Sequence, residues 1–376
     1  MDFRRLHTQY SNELSERLFP FWLNFSQDVS GGYYNVLASN GEVVSTDRWL
    51  ACQAQQVIAF DALLKLYSDN ELIKNYLWHG IDYLKPFLEN KKMPEIVDCT
   101  DKIVKNTTDF EIEALVISAL TNTEKFDKHT ILKLFKKREK AHSQAIQDIQ
   151  SERQHKNISE LTAFGRALMA CKSILPKKVF IEKADGLIHE LMNHFFEPRA
   201  AIILENVYIG GGYCESLEGR RFNPGKIFDA ALVFIELSES INNKKLINEL
   251  QKQILYIAET TWDEKYGGFY NTVDLKSLPQ ANFDANFKSL STHTAALSAL
   301  LKVYAVTKKT ETFKLWQKVH DYTWLNFADR SKDGEWIPIL DRHSEPITTL
   351  KATPTHTAFH TVFRFVENIR FLEALA

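Results

Sequence analysis

Hydrophobic residues recur along this chain at the three- and four-residue spacing that is typical of amphipathic α-helices. The pattern predicts twelve helical segments, which are separated in turn by very short and very long connections. Two helices joined by only a few residues must lie antiparallel, so the short connections predict helical hairpins. The predicted segments are 6–20, 48–67, 70–89, 108–121, 124–152, 157–174, 176–195, 223–239, 242–261, 288–307, 309–327 and 354–374.

The helices that follow the long connections begin at nearly regular intervals. Their predicted starts lie near residues 48, 108, 157, 223, 288 and 354, with spacings of 60, 49, 66, 65 and 66 residues. A period of this length indicates that each repeat is one helical hairpin packed against its neighbours. Six nearly equal hairpins predict an all-α fold, an (α/α)6 barrel with the short turns on one face and the long loops on the other.

Two of the long loops carry similar motifs in which glycines precede aromatic residues. Ser30-Gly-Gly-Tyr-Tyr-Asn35 resembles Tyr266-Gly-Gly-Phe-Tyr-Asn271, and Gly210-Gly-Gly-Tyr213 is a candidate third copy. Glycines followed by alternating aromatics predict short hairpin strands in these loops. No Gly/Ser-rich linker and no change in composition divides the sequence, so it predicts a single domain over residues 1–376.

The composition narrows the classes of partner without changing this fold. Lys and Arg number 46 and Asp and Glu 48, so the net charge of −2 argues against the basic surface that nucleic acids and anionic lipids require. No apolar run reaches the length of a membrane span, and the charged N-terminus lacks the apolar core of a signal peptide. The mostly polar stretch 138–156 predicts an exposed helix end or a mobile loop. We therefore expect a cytoplasmic protein without nucleic-acid or membrane partners.

The sequence contains no motif for a metal or a nucleotide cofactor. It has no G-x-G-x-x-G, P-loop or G-x-S-x-G pattern, so neither a nucleotide cofactor nor serine-hydrolase chemistry is indicated. The cysteines form no C-x-x-C pair and no His/Cys cluster, which argues against structural zinc and fits reduced thiols. These cysteines are Cys52, Cys99, Cys171 and Cys214.

In such a barrel the first turns of the inner helices point toward the long-loop face, where their polar side chains converge. Aromatic rings beside paired polar groups suit a carbohydrate, because the apolar face of a sugar packs on a ring while its hydroxyls need hydrogen-bond partners. The loop face is therefore the predicted site for a small-molecule sugar. The candidate residues are Arg48, Gln55, Lys226, Asp229, Lys288, His293 and His356 on the inner helices, and Glu335 and Trp336 in the loops.

Two inner-helix starts carry ionisable pairs. Asn223 and Pro224 suit the N-cap and first positions of a helix, which places Lys226 and Asp229 three residues apart on one face. A capped helix start with a surface ion pair is an equally simple interpretation of that pattern.

The second pair consists of His356 and His360, predicted to lie four residues apart near the start of the last inner helix. A neutral histidine can take up a proton near neutral pH, so His356 is a candidate general base. A metal site would need a third ligand, and the H-E-x-x-H pattern is absent. A structural histidine, in the core or at a helix cap, is the alternative for either residue.

Taken together, these segments resemble the N-acylglucosamine 2-epimerase family, which includes cellobiose 2-epimerases and aldose–ketose isomerases. The resemblance extends over nearly the whole chain and implies an (α/α)6 barrel, in agreement with the helix spacing. It is carried by Phe21-Trp22, Gly31-Gly-Tyr-Tyr34, Gln53-Ala-Gln-Gln-Val57, Asn223-Pro-Gly-Lys-Ile-Phe-Asp229, Trp262-Asp-Glu-Lys-Tyr-Gly-Gly268, Gly334-Glu-Trp336, Lys351 and Pro354-Thr-His356.

The resemblance implies that two histidines move a proton at carbon 2 of a sugar, which gives epimerisation or, through an enediol, isomerisation. His356 matches the histidine of the family's Pro-Tyr-His motif. Lys226 occupies the place of the histidine in its Gly-His-x-x-Glu motif, with Asp229 in place of the glutamate. Gln55 occupies the place of the arginine in its Gln-x-Arg motif, and Arg48, seven residues earlier, is a candidate to replace that arginine.

These substitutions leave two functions open. The first is a sugar epimerase or isomerase in which His356 and Lys226 are catalytic and the other candidates bind the sugar. The second is a catalytically impaired relative that binds a sugar or has a regulatory role. A lysine serves as a base only where burial or a nearby cation lowers its pKa. The presence of Lys226 in place of the family's histidine is therefore the reason for the second hypothesis.

A glycoside hydrolase or lyase on the same barrel is a third hypothesis. A hydrolase would need two inward carboxylates roughly 5–9 Å apart, and the candidates are Asp109, Glu111 and Asp229. Nothing in the sequence pairs these residues. The identity of the sugar, the reaction outcome and the oligomeric state stay open, with a homodimer among the alternatives.

Overall fold

Helices dominate the structure, a computed structural model, and its strands are only two to four residues long. The structure describes residues 2–89, 93–107, 110–121, 123, 126–148, 150–151, 153–280, 282–329 and 334–376. The α-helices, in chain order, are α1 (Phe3–Glu13), α2 (Phe19–Phe25), α3 (Leu50–Leu64), α4 (Glu71–Leu84), α5 (Glu111–Leu120), α6 (Lys128–Gln147), α7 (Ile158–Ala170), α8 (Lys177–Glu190), α9 (Leu217–Arg220), α10 (Pro224–Ser240), α11 (Lys244–Thr260), α12 (Leu290–Thr307), α13 (Thr310–Asn326) and α14 (Arg364–Glu373).

Shorter elements complete the chain. Turns of π-helix cover Leu14–Leu18, Leu191–Phe195 and Phe359–Phe363, and a 3₁₀ helix covers Lys85–Glu89. The strands, in chain order, are β1 (Val36–Ala38), β2 (Val43–Ser45), β3 (Arg48–Trp49), β4 (Pro94–Val97), β5 (Ile103–Asn106), β6 (His155–Asn157), β7 (Phe196–Glu197), β8 (Ile202–Ile203), β9 (Asn206–Tyr208), β10 (Arg221–Phe222), β11 (Val273–Asp274), β12 (Lys288–Ser289), β13 (Ile339–Leu340) and β14 (Leu350–Ala352). Each of the twelve predicted helical segments contains a helix.

The chain divides into two compact units. The first comprises Met1–Thr107, Trp262–Phe269 and Phe287–Ala376, and the second comprises Thr108–Thr261 and Tyr270–Asn286. The prediction that residues 1–376 form a single domain stays a prediction.

In the first unit, α3 packs against α4, α12 packs against α13, and α1 packs against α14. Among the inner members of these pairs, α12 contacts α14, and both α3 and α12 contact the π turn that precedes α14. The composition of α12 suits an inner position, because Lys302 is its one charged side chain. Accordingly, 13 of its 18 residues are buried. A helix that is apolar on all sides is stable only when other elements surround it.

In the second unit, α5 packs against α6, α7 against α8, and α10 against α11. The inner helices α5, α7 and α10 lie side by side, with α7 in contact with both others. Gly165 allows the close approach of α7 to α10, because a Cβ atom at this position would lie 2.9 Å from a methyl group of Val233.

The strands lie in the loops and pair antiparallel. Within the first unit they form the sheets β14-β1-β2, β3-β4-β5 and β12-β13, and within the second unit the pairs β6-β9, β7-β8 and β10-β11.

The three glycine-containing loops form the same small structure. Isolated antiparallel bridges join Gln27 to Tyr33, Val207 to Tyr213 and Trp262 to Phe269. Two successive glycines in each loop have positive φ angles, from 69° at Gly32 to 124° at Gly31. Glycine adopts these angles without steric cost, so the predicted resemblance among the loops is confirmed as a shared turn.

The last predicted helix differs from expectation, and so does Arg138 within the polar stretch 138–156. The segment 354–374 becomes helical only at Phe359, and then as a π turn, because residues 353–356 form a tight bridged turn. Arg138, predicted to be exposed, is buried in ion pairs with Glu160 and Glu190. Six of the ten residues 138–147 are exposed, so the expected exposed helix end is confirmed there, with Arg138 and Ala145 as the buried exceptions.

Candidate active site

His356 lies in the turn that precedes the last helix, and its predicted place inside that helix was wrong. Thr353 and His356 exchange two backbone hydrogen bonds, each 3.0 Å long. Pro354 suits this turn because it has a fixed φ angle and no backbone N–H to satisfy.

His356 is 2% exposed, and neither ring nitrogen has a hydrogen-bond partner among the described residues. Its Nε2 atom lies 3.7 Å from Oε1 of Glu335. Its ring stacks on that of His360, with the centroids 5.7 Å apart. Buried polar atoms almost always have a partner in a folded protein, so two unpaired ring nitrogens indicate a group kept for a ligand or a reaction.

Glu335 is a fully buried carboxylate that hydrogen bonds hold in place. Its Oε1 atom accepts from the backbone N–H of Trp336 at 2.9 Å. Its Oε2 atom accepts from the hydroxyl of Thr361 at 3.0 Å and from the indole N–H of Trp22. These donors are all neutral, so none of them brings a positive charge to the carboxylate. A proton taken up by His356 would place a positive charge beside it.

Gln55 connects α3 to the segment that carries His356. Its Oε1 atom accepts from the Thr357 hydroxyl at 3.0 Å, and the neighbouring Gln56 accepts from the backbone N–H of Ala358 at 3.2 Å. His360 accepts from the backbone N–H of Thr357 at 3.0 Å. The hydrogen bonds to Gln55 and Gln56 thus position the histidine turn, and the predicted contact of Gln55 with a sugar stays a prediction.

Arg48 is buried in strand β3, two residues before the start of α3. Its Nη2 atom donates to the carboxylate of Asp28 at 2.7 Å and to the hydroxyl of Ser30 at 2.6 Å. Its Nη1 atom lies 3.2 Å from Asp101, and the guanidinium lies over the ring of Tyr83. The arginine therefore links the loop before the α3–α4 hairpin to the loop after it.

Lys288 and Arg342 share one buried carboxylate. Their nitrogens lie 3.1 Å and 2.9 Å from Oδ2 of Asp263. Burial opposes the ionised form of Asp263, but the hydrogen bonds from Arg342 and Lys288 outweigh it and hold the pKa of this carboxyl well below its usual range. Burial also lowers the pKa of Lys288. The predicted sugar ligand Lys288 thus supports the loop that contains Asp263.

His293 is also buried, but both of its nitrogens have partners. Its Nδ1 atom donates to the carbonyl of Ser289 at 2.7 Å, and its Nε2 atom accepts from the backbone N–H of Phe269 at 3.0 Å. The ring stacks on Tyr322. Burial lowers the pKa of His293 to about 3, so the residue is neutral at physiological pH.

Trp336 belongs to the core of the first unit. Its indole N–H donates to Oε1 of Glu13 at 2.7 Å, and its ring packs edge-on against Trp324 and Phe365. Its backbone N–H, rather than its ring, contacts Glu335.

Lys226 and Asp229 lie in the second unit, at the start of α10. Asn223 caps this helix as predicted, because its side chain accepts from the backbone N–H of Lys226 at 3.1 Å. Lys226 donates to Oε1 of Glu205 at 2.9 Å, and Arg166 donates to Oδ1 of Asp229 at 2.7 Å. Each member of the predicted surface ion pair thus has a different partner.

Sequence reasoning did not identify Glu205 and Arg166. Glu205 lies in a long loop without a recognisable motif, and Arg166 lies within α7, away from the first helical turn where candidates were sought. Of the carboxylates considered for glycoside hydrolysis, Asp109 lies outside the described residues, Glu111 begins α5, and Asp229 is in its ion pair.

Metal-ligand clusters and membrane spans were searched among the described residues. No group of three or more His, Cys, Asp or Glu side chains there is arranged to hold a metal ion. None of the described helices is both long and apolar enough to span a lipid bilayer.

The sequence is similar to known sugar epimerases. The family model for N-acylglucosamine 2-epimerase matches residues 31–363. The N-acylglucosamine 2-epimerase of Mus musculus is 26% identical over 183 residues, which cover 48% of this chain and 43% of that protein. The enzyme of Homo sapiens is 25% identical over 182 residues, which cover 48% of this chain and 42% of that protein. The chain therefore matches less than half the length of these relatives.

Solved structures of the same fold cover nearly the whole chain. A cellobiose 2-epimerase from Bacillus thermoamylovorans B4167 superposes with a TM-score of 0.80 and 14% identity, over 98% of this chain and 99% of that one. A D-mannose isomerase superposes with a TM-score of 0.80 and 16% identity, over 96% of this chain and 97% of that one. The all-α (α/α)6 barrel predicted from the helix spacing is thereby confirmed.

Proposed function

The chain belongs to the N-acylglucosamine 2-epimerase family, and from this premise we propose that it is a sugar epimerase or isomerase that moves a proton at carbon 2. Its relatives and structural neighbours include N-acylglucosamine 2-epimerases, a cellobiose 2-epimerase and a D-mannose isomerase. Their names support a carbohydrate as the substrate of this chain.

The observation that carries the proposal is the environment of His356. Its imidazole is buried with both nitrogens unpaired, and the carboxylate of Glu335 lies 3.7 Å away. A general base needs a lone pair that no other group engages and a neighbour that tolerates the positive charge formed by proton uptake. His356 has both, whereas the nitrogens of His293 are already engaged.

The proposed reaction begins with the open-chain sugar. His356 takes the proton from carbon 2, beside the carbonyl carbon, and an enediol forms. A proton returned to carbon 2 on the other face gives the 2-epimer, and a proton returned to carbon 1 gives the ketose. Glu335 lies 3.7 Å from the ring nitrogen that takes up the proton and stabilises the positive charge formed there, so we assign it a positioning role rather than a contact with the sugar.

The other predicted sugar ligands fall into two groups by their contacts. Arg48, Lys288, His293 and Trp336 make buried contacts that support loops or the core, and we propose that they shape the site indirectly. Gln55 is partly exposed on α3 beside Thr357 and is the better candidate for a direct hydrogen bond to a sugar hydroxyl.

Hydrogen exchange in deuterated water tests the proposal. The protein is incubated with mannose, glucose, fructose, N-acetylmannosamine and cellobiose, and loss of the carbon-2 proton signal is followed by NMR. We expect exchange with at least one sugar, slowed by about 10²- to 10⁴-fold in His356→Gln. His343→Gln, which changes an exposed histidine, is the control and should keep the wild-type rate. Saturable sugar binding without exchange would instead indicate a sugar-binding protein.

Variants of Glu335 separate positioning from binding. Glu335→Gln should lower kcat by about tenfold or more with little change in KM, because the carboxylate stabilises the charged histidine rather than the bound sugar. Glu335→Asp keeps the charge and should recover part of kcat. A rise in KM at constant kcat would contradict the assigned role.

A further inference from the structure

Lys226, the residue predicted to be the second proton-transfer group, is fixed by a buried carboxylate. Glu205 is 1% exposed, and its Oε1 atom accepts from Nζ of Lys226 at 2.9 Å. Its Oε2 atom accepts from the backbone N–H of Asn223 at 2.7 Å. Arg221 and Asn157 place side-chain nitrogens 3.5 Å and 3.4 Å from the same Oε1 atom.

These contacts engage the amino group of Lys226 in an ion pair. A buried carboxylate is stable only with positive charge and hydrogen-bond donors beside it, and Lys226 supplies that charge to Glu205. The Lys226 side chain is 39% exposed, and its nitrogen lies 2.9 Å from Oε1 of Glu205. An amino group held in this ion pair has no free lone pair with which to take a proton from carbon.

The other ionisable residue on this face of α10 is also paired. Arg166 Nη2 lies 2.7 Å from Oδ1 of Asp229. The residues that match the family's second acid–base motif thus form two ion pairs, Lys226 with Glu205 and Asp229 with Arg166.

We infer that His356 is the single base among the residues that the structure describes, and that the reaction of this enzyme is therefore the interconversion of an aldose and a ketose rather than epimerisation. This inference rests on the proposed function and specifies its substrate class. The substrates are sugars with an unsubstituted hydroxyl on carbon 2, which excludes the N-acyl hexosamines.

A single base is sufficient for isomerisation. The carbon 2–hydrogen bond breaks and its proton moves to His356, while the carbon 1–carbon 2 double bond forms, the carbonyl double bond to O1 becomes single, and O1 takes a proton from water. The hydroxyl on carbon 2 then gives its proton to water and becomes the ketone, while the carbon 1–carbon 2 double bond becomes single and carbon 1 takes the proton back from His356. Both transfers occur on one face of the planar enediol, and no oxidant or reductant is needed.

Epimerisation makes a different demand. The proton leaves carbon 2 from one face and returns to it from the opposite face, which requires a second proton-transfer group that alternates between its two protonation states. An N-acyl hexosamine carries nitrogen instead of a hydroxyl on carbon 2, so it cannot form the 2-ketose by this route. Its only productive outcome is the 2-epimer.

The products distinguish the two reactions. The protein is incubated with mannose and with glucose, each carrying deuterium at carbon 2, and with N-acetylmannosamine in deuterated water. For whichever aldose reacts, we expect fructose as the first product, with part of the label transferred to carbon 1. We expect no carbon-2 exchange in N-acetylmannosamine.

Two results would overturn the inference. One is initial formation of a 2-epimer at least as fast as the ketose, and the other is exchange at carbon 2 of N-acetylmannosamine. Exchange with none of the sugars would instead overturn the proposed function, and this inference with it, so the two failures are distinguishable.

Variants of Lys226 give a second readout. Lys226→His supplies a group that can alternate between protonation states, and it should raise the initial ratio of epimer to ketose by about tenfold. Lys226→Met, which keeps the length of the side chain without its charge, should leave the ketose as the main product. An epimer-to-ketose ratio in Lys226→His equal to that of the wild type would count against a single base. Circular dichroism identifies any variant that fails to fold, and the wild-type product ratio then decides alone.

Discussion

Two histidines have nearly identical sequence surroundings, Thr292-His-Thr-Ala295 and Thr355-His-Thr-Ala358, but opposite environments in the structure. His293 has partners on both nitrogens, and one of them, the N–H of Phe269, lies 24 residues away in the sequence. His356 has none among the described residues. Local sequence could predict both as candidates but could not separate them, because the difference lies in distant contacts.

Substitution of these two histidines should affect stability in different ways. His293→Phe should lower the free energy of unfolding by about 1–3 kcal/mol, because the buried N–H of Phe269 loses its acceptor. His356→Phe breaks no hydrogen bond and should change the free energy of unfolding by well under 1 kcal/mol, although it abolishes exchange at carbon 2. Urea unfolding measures both effects. An equal loss of stability in the two variants would show that His356 is a structural residue.

The elements that position these residues were predictable where the signal is local. Helix periodicity located the hairpins, and the repeated glycines identified loops with a common turn. The π turn at Phe359–Phe363 and the late start of the last helix could not be predicted, because the bridge between Thr353 and His356 competes with the first helical turn.

The glycines of these loops offer a test with a matched control. Gly268 has a φ angle of 73°, and a Cβ atom there would lie 2.6 Å from the ring of Tyr322. Gly268→Ala should therefore lower the free energy of unfolding by about 1–3 kcal/mol. Gly186 lies within α8 with no atom near its Cβ position, so Gly186→Ala should raise it by about 0.5–1 kcal/mol. Equal effects in urea unfolding would contradict the strained turn.

The polar stretch that begins at Arg138 contributes to a buried network of ion pairs. Arg138 lies between Glu160 and Glu190, and Lys156 also pairs with Glu190. Composition predicted exposure here. It could not predict the burial of Arg138, because the carboxylates that pair with this arginine come from other helices. Burial opposes ionisation of Glu190, but the charges of Arg138 and Lys156 outweigh it and lower the pKa of Glu190 to about 2.

This network predicts a particular loss of stability in acid. The pKa of Glu190 is lower in the folded chain than its ordinary value of 4.5, so its contribution is complete above about pH 5 and is lost as the pH falls toward 2. The loss should amount to about 3 kcal/mol at most. Glu190→Gln should show a flatter dependence of the free energy of unfolding on pH between 5 and 2. Glu259→Gln, which changes an exposed carboxylate on α11, should keep the wild-type dependence.

At the scale of the whole molecule, the fold was the most predictable feature. Regular spacing of helix starts is a property of the complete chain, and it survives errors of several residues at each helix end. The partners of the candidate residues were predictable only in part, because Lys226 and Asp229 pair with Glu205 and Arg166 across 21 and 63 residues of sequence. The cytoplasmic location stays a prediction, and a homodimer stays one of the alternatives for the oligomeric state.

The distribution of tryptophan allows the predicted single domain to be tested directly. All seven tryptophans, at positions 22, 49, 78, 262, 316, 324 and 336, belong to the first unit. Tryptophan fluorescence therefore reports the unfolding of that unit alone, whereas circular dichroism reports the helices of both units. A single cooperative domain should give coincident urea transitions by the two methods. Helical signal that is lost at a different urea concentration from the fluorescence change would instead show that the second unit unfolds independently.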